Sequence, residues 1–167
     1  DTMHNIQWDK TIGGSGNEYI DYVVQADDGS YILAGSSDSP ISGEKSENSR
    51  GLTDYWIVKL NRYGNKTWDK TIGGDKYDNL ASLQQTRDGG YILGGSSESG
   101  IAGERTEQSR GYFDYWIVKL DTMHNIQWDK TIGGSGNEYI DYVVQADDGS
   151  YILAGSSDSP ISGEKSE

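Results

Sequence analysis

Apolar and polar residues alternate along most of this chain in short runs, and no stretch carries the three-to-four-residue spacing of a helix. In the first run Ile6, Trp8, Lys10 and Ile12 share one face and Gln7, Asp9 and Thr11 the other, which predicts an edge strand with one wet side. Gly13-Gly14 ends it, and a polar loop, SGNEY, follows. Residues 20–26 (IDYVVQA) and 31–36 (YILAGS) read as strands joined by a tight turn at Asp27-Asp28-Gly29-Ser30, since Asp-Gly between β-rich runs supplies the backbone angles of a hairpin. Residues 37–53 are too polar for a core element and predict a long surface loop. Residues 54–60 (DYWIVKL) are apolar on both faces, with Trp56, Val58 and Leu60 on one and Tyr55 and Ile57 on the other, so both faces should be covered. Asn61-Arg62-Tyr63-Gly64 then turns into a strand at 66–72.

The seven residues from Trp8 to Gly14 return unchanged at 68–74 and 128–134, a period of sixty residues. The second unit predicts strands near 80–86, 91–96 and 114–120, a turn at Arg87-Asp88-Gly89-Gly90 and a long loop over 97–113; a third contributes 126–132, 140–146 and 151–156. A unit of about four short strands cannot bury its own faces and must stack on copies of itself. The expected fold class is all-β, a β-propeller of four-stranded antiparallel blades with about 60 residues per blade, of which the chain covers about 2.8. Residues 1–14 would be an outer strand, 15–74 and 75–134 two blades, and 135–167 the first half of a further blade. Residues 121–167 repeat residues 1–47 without a change, whereas 61–107 matches 1–47 at about half its positions. The duplicated module is therefore two blades, which favours an even blade number, six or eight, completed by further copies of the repeat in the same or other chains.

Composition narrows the function classes. With 12 Tyr, 5 Trp, 23 Gly and only 2 Pro, the chain suits a folded β protein with loop-heavy edges. A net charge of −13 argues against nucleic acid or an anionic membrane as partner, because both require a basic face. No apolar run approaches the roughly 18 residues of a membrane-spanning helix, and the first residues do not read as a signal peptide. The absence of Cys excludes disulfides and thiol chemistry.

The order DGSYILAGSS or DGGYILGGSS, a polar SGEKSENSRG loop, DYWIVKL and then WDKTIGG resembles the β-propeller repeats, related to the seven-bladed propeller repeat family, of large secreted and surface proteins of Bacteroidota. The resemblance covers essentially the whole chain. It implies a propeller, export (often by the type IX route), residence outside the cell or on its surface, and no enzymatic activity of its own.

Each motif also has a structural reading. Thr86-x-Asp88-x-Gly90 resembles the start of the Asp-box of sialidase-like propellers, but Tyr91 follows directly and Ala26 and Ala146 replace Thr86 in the other units, so a hairpin turn is the expected role. Trp56 and Trp116 in the third strands, and Trp8, Trp68 and Trp128 in the outer ones, alternate in phase with aliphatic neighbours, which predicts packing between blades over sugar stacking. Glu18, Asp21, Glu44, Glu47, Asp78, Glu104 and Glu107 offer oxygens for structural calcium, yet no loop has the Asp-x-Asp-x-Asp-Gly alternation of a calcium site. No other cofactor is expected. The run Gly43 to Arg50 intersperses both signs of charge and reads as a solvated loop with local ion pairs. His4 and His124, the only histidines, occupy one repeat position, which excludes a His-based metal site or a Ser-His-Asp triad. Asp1-Thr2-Met3 and Asp121-Thr122-Met123 resemble the short O-glycosylation motif of exported Bacteroidota proteins.

In a propeller the outer-to-inner connections (SGNEY, DKYDN) and the long loops emerge on one face. The leading expectation is a non-enzymatic extracellular or cell-surface propeller that binds a glycan or protein through this loop-rich face, with Tyr19, Asn48, Arg50, Tyr77, Gln108 and Arg110 as contacts. The alternatives are a structural spacer or engineered symmetric ring without ligand, and, behind both, a glycoside hydrolase, for which near-identical blades offer no asymmetric acidic cluster.

Overall fold

The computed structural model describes residues 3–26 and 28–167, and these form ten β-strands and no helix. They are β1 (Glu18–Gln25), β2 (Tyr31–Ser37), β3 (Asp54–Leu60), β4 (Lys66–Ile72), β5 (Asp78–Gln85), β6 (Tyr91–Ser97), β7 (Asp114–Leu120), β8 (Ile126–Ile132), β9 (Glu138–Gln145) and β10 (Tyr151–Ser157). Two four-stranded sheets run in chain order, β1-β2-β3-β4 and β5-β6-β7-β8, with every neighbouring pair antiparallel. A third sheet holds β9 and β10 alone. The protein is thus all-β, built of antiparallel four-stranded sheets, and strand contacts run only between consecutive sheets, with no closure into a ring.

The hairpin turns sit where Asp-Gly placed them. Gly29, Gly89 and Gly149 adopt φ of 76°, 82° and 89°, and the amide of Gly89 donates to the Thr86 carbonyl at 2.8 Å. Asp88 accepts hydrogen bonds from Thr86 Oγ1 at 2.5 Å, from the Gly90 amide at 3.0 Å and from Lys119 Nζ at 2.8 Å. Its carboxylate therefore closes the turn and ties it to β7, the structural role. Asp27 of the first turn, and Asp1-Thr2 of the first DTM motif, lie outside the described residues.

Each first strand carries a bulge after its third residue, at Asp21, Ala81 and Asp141. The extra residue breaks strict alternation, so that Ile20 and Val23 share one face while Tyr22 and Val24 share the other. Both faces are apolar, as DYWIVKL predicts. The Tyr55–Ile57 face of the first sheet meets the Trp116–Val118–Leu120 face of the second in one core with Ile32, Ile72, Leu80 and Leu83. Tyr55 is fully buried there, its ring 5.0 Å from that of Trp116 and its hydroxyl donating to the Trp116 carbonyl at 3.0 Å. Ile117 and Ile92 of the second sheet meet Ile140 and Val143 of the third in the same manner.

One expected strand is missing. Residues 6–12 join no ladder, whereas their counterparts β4 and β8 pair with DYWIVKL strands; no such segment precedes residue 6 within these residues. Trp8 and Ile12 nonetheless pack on Trp56, Val58 and Leu60, so side-chain burial holds the segment where backbone pairing is unavailable.

Candidate functional site

The long loops and the short connections after β4 and β8 converge at one end of the stack, and the reason lies in three carboxylates. β1, β5 and β9 start two residues earlier than their apolar pattern, at Glu18, Asp78 and Glu138. Asp78 accepts from Ser97 Oγ, from Ser99 Oγ at 2.9 Å and from the Gly74 amide at 2.7 Å, so one side chain joins the end of the second strand, the long loop and the Gly-Gly turn. Glu138 repeats the arrangement with Ser157 Oγ at 2.7 Å, Ser159 Oγ at 2.5 Å and the Gly134 amide at 2.8 Å. Burial works to raise the Glu138 pKa, but these donors outweigh it and hold the carboxyl below its usual range.

A buried cation faces each of the first two clamps. Lys45, 2% exposed, donates from Nζ to Ser37 Oγ at 3.1 Å and Ser49 Oγ at 2.8 Å, and its pKa is lowered by burial against the pull of Asp54 and Glu18. Arg105, 1% exposed, donates from Nε to the Glu107 carbonyl at 3.1 Å, lies 3.9 Å from Asp114 and stands over the Trp116 ring at 5.9 Å. The run Gly43 to Arg50 is thus only partly the solvated loop its mixed charge predicts: Lys45 turns inward because Gly43, at φ 54°, bends the loop back so that the Glu44 amide reaches the Gly13 carbonyl at 2.9 Å. The shared spacing Gly-Glu-Lys/Arg in all three loops was the available signal.

Asp54 and Asp114, which open the DYWIVKL strands, are fully buried. Asp54 accepts from the Arg50 amide at 2.5 Å through one oxygen while the other has no partner. Burial, reinforced by the nearby Asp78 charge, pushes its pKa up to about 6. A Cβ at Gly73 would lie 1.7 Å from the Asp54 carboxylate, so the Gly-Gly turn admits no side chain there. These carboxylates are enclosed and act on the fold; they do not reach a surface.

The six expected contacts distribute along this end without converging. Asn48 is exposed but spends its Oδ1 on the Ile41 amide at 2.8 Å. Arg50 pairs with Glu104 at 2.7 Å and Glu47 at 3.7 Å, bridging the first loop to the second. Arg110 pairs with Glu164 at 2.7 Å and donates to the Thr131 carbonyl at 2.9 Å, bridging the second to the third. Gln108 is exposed beside Gly100. Tyr77, 42% exposed, lies in the connection before β5, its backbone bridged to Thr53. Tyr19, 61% exposed, stands near the start of β1 in register with Ser36, whereas Tyr139 at the equivalent position packs on Phe113 at 5.5 Å. Among the described residues no group of three or more His, Asp or Glu side chains is placed to hold a metal ion, and no helix is long and apolar enough to cross a membrane. No protein-family model matches the chain, and no curated protein matches it.

Proposed function

We propose that these sheets are blades of a non-enzymatic β-propeller, extracellular or on the cell surface, that binds a glycan or a protein through its loop-rich end. The observation that carries the reading is the rigid repetition of that end: Arg50–Glu104 and Arg110–Glu164 lock successive loops at a fixed spacing, with Tyr77 and Gln108 exposed between them. Repeated, pre-ordered polar loops suit multivalent recognition, since little ordering entropy is spent on binding. The propeller part is supported by apolar faces at both ends of the stack, Ile20 and Val23 at one and Ile152 at the other, which a ring of six or eight blades covers without polar caps. The resemblance to Bacteroidota surface repeats supports the location. The test is a glycan array and a surface-protein pull-down with the protein and its Tyr77→Ala and Gln108→Ala variants. Ligand capture lost in both variants supports the reading; capture unaffected by either, or absent, defeats it.

A purely architectural role is favoured by one specific observation. Two of the six candidate side chains, Arg50 and Arg110, use their charge to hold neighbouring units together, which is what a spacer requires.

A further inference from the structure

The opposite end of the stack carries a pocket between the first and second sheets. It is built by the β3–β4 turn with Arg62 and Tyr63, by Lys59 and Trp68, and by Thr122 and His124 of the β7–β8 turn. Its charge runs against that of the protein. In a chain of net charge −13, the only carboxylate lining it among the described residues is Asp28, which already accepts from the Ser30 amide at 2.9 Å, the Ser30 hydroxyl and Lys59 Nζ at 3.0 Å. Those bonds, Ser30's first, hold the Asp28 pKa down at about 2. Arg62 meets no carboxylate among the described residues; its contacts are the Tyr63 hydroxyl at 2.6 Å and the Tyr63 ring at 4.8 Å. The field is sensed by His124, whose pKa is lowered by burial and further by Lys59 and Lys70, against Asp121.

The aromatic surface is equally particular to this junction. His124 is held at φ 67°, a conformation that costs a non-glycine residue on the order of 1 kcal/mol or more. The matching position of the other turn is Gly64, at φ 78°. The imidazole lies 3.9 Å from the Trp68 ring, where the Gly64 turn instead presses bare backbone on Trp8. Trp8 donates its indole N–H to the Arg62 carbonyl at 3.1 Å, while that of Trp68 is buried with no acceptor. Tyr63 beside them is 59% exposed. The pocket therefore holds one guanidinium with no described carboxylate partner, flanked by open aromatic surface. In the next turn Thr122 and Met123 replace Arg62 and Tyr63, so the arrangement belongs to alternate junctions only.

We propose that this pocket binds an acidic sugar residue of a polysaccharide, a pyranose bearing a carboxylate or a sulfate. Arg62 takes the anionic group in its guanidinium fork, Lys59 holds Asp28 turned to itself, and Tyr63 offers a ring face to the apolar side of the pyranose. The site needs only the contact between the first two sheets. It is independent of ring closure and of the loop-rich end.

Titration calorimetry with the complete chain at physiological salt tests it, using oligogalacturonate, a sulfated galactan oligomer, neutral dextran oligomers and sodium sulfate as separate probes. At least one anionic oligosaccharide should bind with a Kd of ~1 mM or tighter while neutral dextran does not. The anion preferred identifies the recognised group. Arg62→Gln should weaken binding by about tenfold or more and Tyr63→Ala severalfold, whereas Arg87→Gln, at an exposed arginine of the next hairpin, should leave it unchanged. Arg62 and Tyr63 are exposed, and retained far-UV dichroism checks that the variants fold. Equal affinity in Arg62→Gln, equal binding of neutral dextran, inorganic sulfate binding as tightly as the sugar, or no binding at millimolar concentration would each overturn the proposal.

Discussion

Residues 18–37 and 138–157 have the same sequence and opposite environments. In β1 and β2, Ile20 and Val23 are 46% and 61% exposed, while Ile32 is fully buried. In β9 and β10, Ile140 and Val143 are 3% and 1% exposed, while Ile152 is 57% exposed. The strand pairing is the same in the two, with the same bulge and the same register. What differs is the neighbour: the second sheet lies against one face of the first sheet and against the other face of the third. The comparison teaches that local sequence sets the strands, the turn and which residues share a face, and leaves open which face is wet.

The largest effects should come from truncating identical residues in their two settings. Ile32→Ala should cost ~2–5 kcal/mol in urea denaturation and Ile152→Ala within about 0.5, with Ile140→Ala and Ile20→Ala showing the same contrast on the other face. Equal costs for each pair would mean that the sheets do not stack as described. Next, Gly133→Ala should cost ~1–3 kcal/mol, because its Cβ would meet the Asp114 carboxylate at 1.9 Å and Glu138 at 2.6 Å. The identical Gly13 meets only the flexible end of Glu18 at 2.7 Å, and Gly13→Ala should cost less than half as much.

A third difference is read in pH. The folded-state pKa of Asp54, about 6, lies above the usual carboxylate value, so the folded protein holds the extra proton between about pH 4 and 6. Its contribution therefore favours folding increasingly as pH falls through about 6 and levels off below about 4. Asp28 and Asp88, both lowered to about 2 with hydrogen bonds as the leading cause, act in the opposite sense, and their contribution is lost as pH falls from about 4 towards 2. Stability measured from pH 7 to 4 for the protein and for Asp54→Asn isolates the first effect: the variant should gain on the order of 1–2 kcal/mol relative to the protein near pH 7, an advantage that fades towards pH 4. Parallel curves would refute the assignment. The smallest contrast concerns the two histidines in the left-handed region. His4→Gly should stabilise by up to ~1 kcal/mol, and His124→Gly by less, since it also removes the contact with Trp68.

Much of the fold was legible because strands and hairpins are local. The strands at IDYVVQA and YILAGS, the Asp-Gly turns and the double-faced DYWIVKL all appear within two residues of where the pattern put them, although a bulge at Asp21 interrupts the alternation of the first. The segment 6–12 did not become a strand, because alternation records a capacity to pair and not the presence of a partner. The candidate site was less legible. Tyr77 and Gln108 are exposed in the predicted place, but Arg50 and Arg110 are engaged with Glu104 and Glu164, which a sequence sixty residues in period cannot show. Lys45 and Arg105 were hidden by charged loops that look solvated until a left-handed glycine turns them inward.

The sequence alone determined a repeating all-β chain, its sheet order and the two apolar faces of each sheet, because those depend on alternation, turn chemistry and a period visible along the chain. Only the tertiary structure decided which copy of an identical strand is buried, which carboxylates lose their water, and that Arg62, Trp68 and His124 meet at one junction. Burial and electrostatics are properties of what lies across the contact, and identical residues acquire different ones when their neighbours differ.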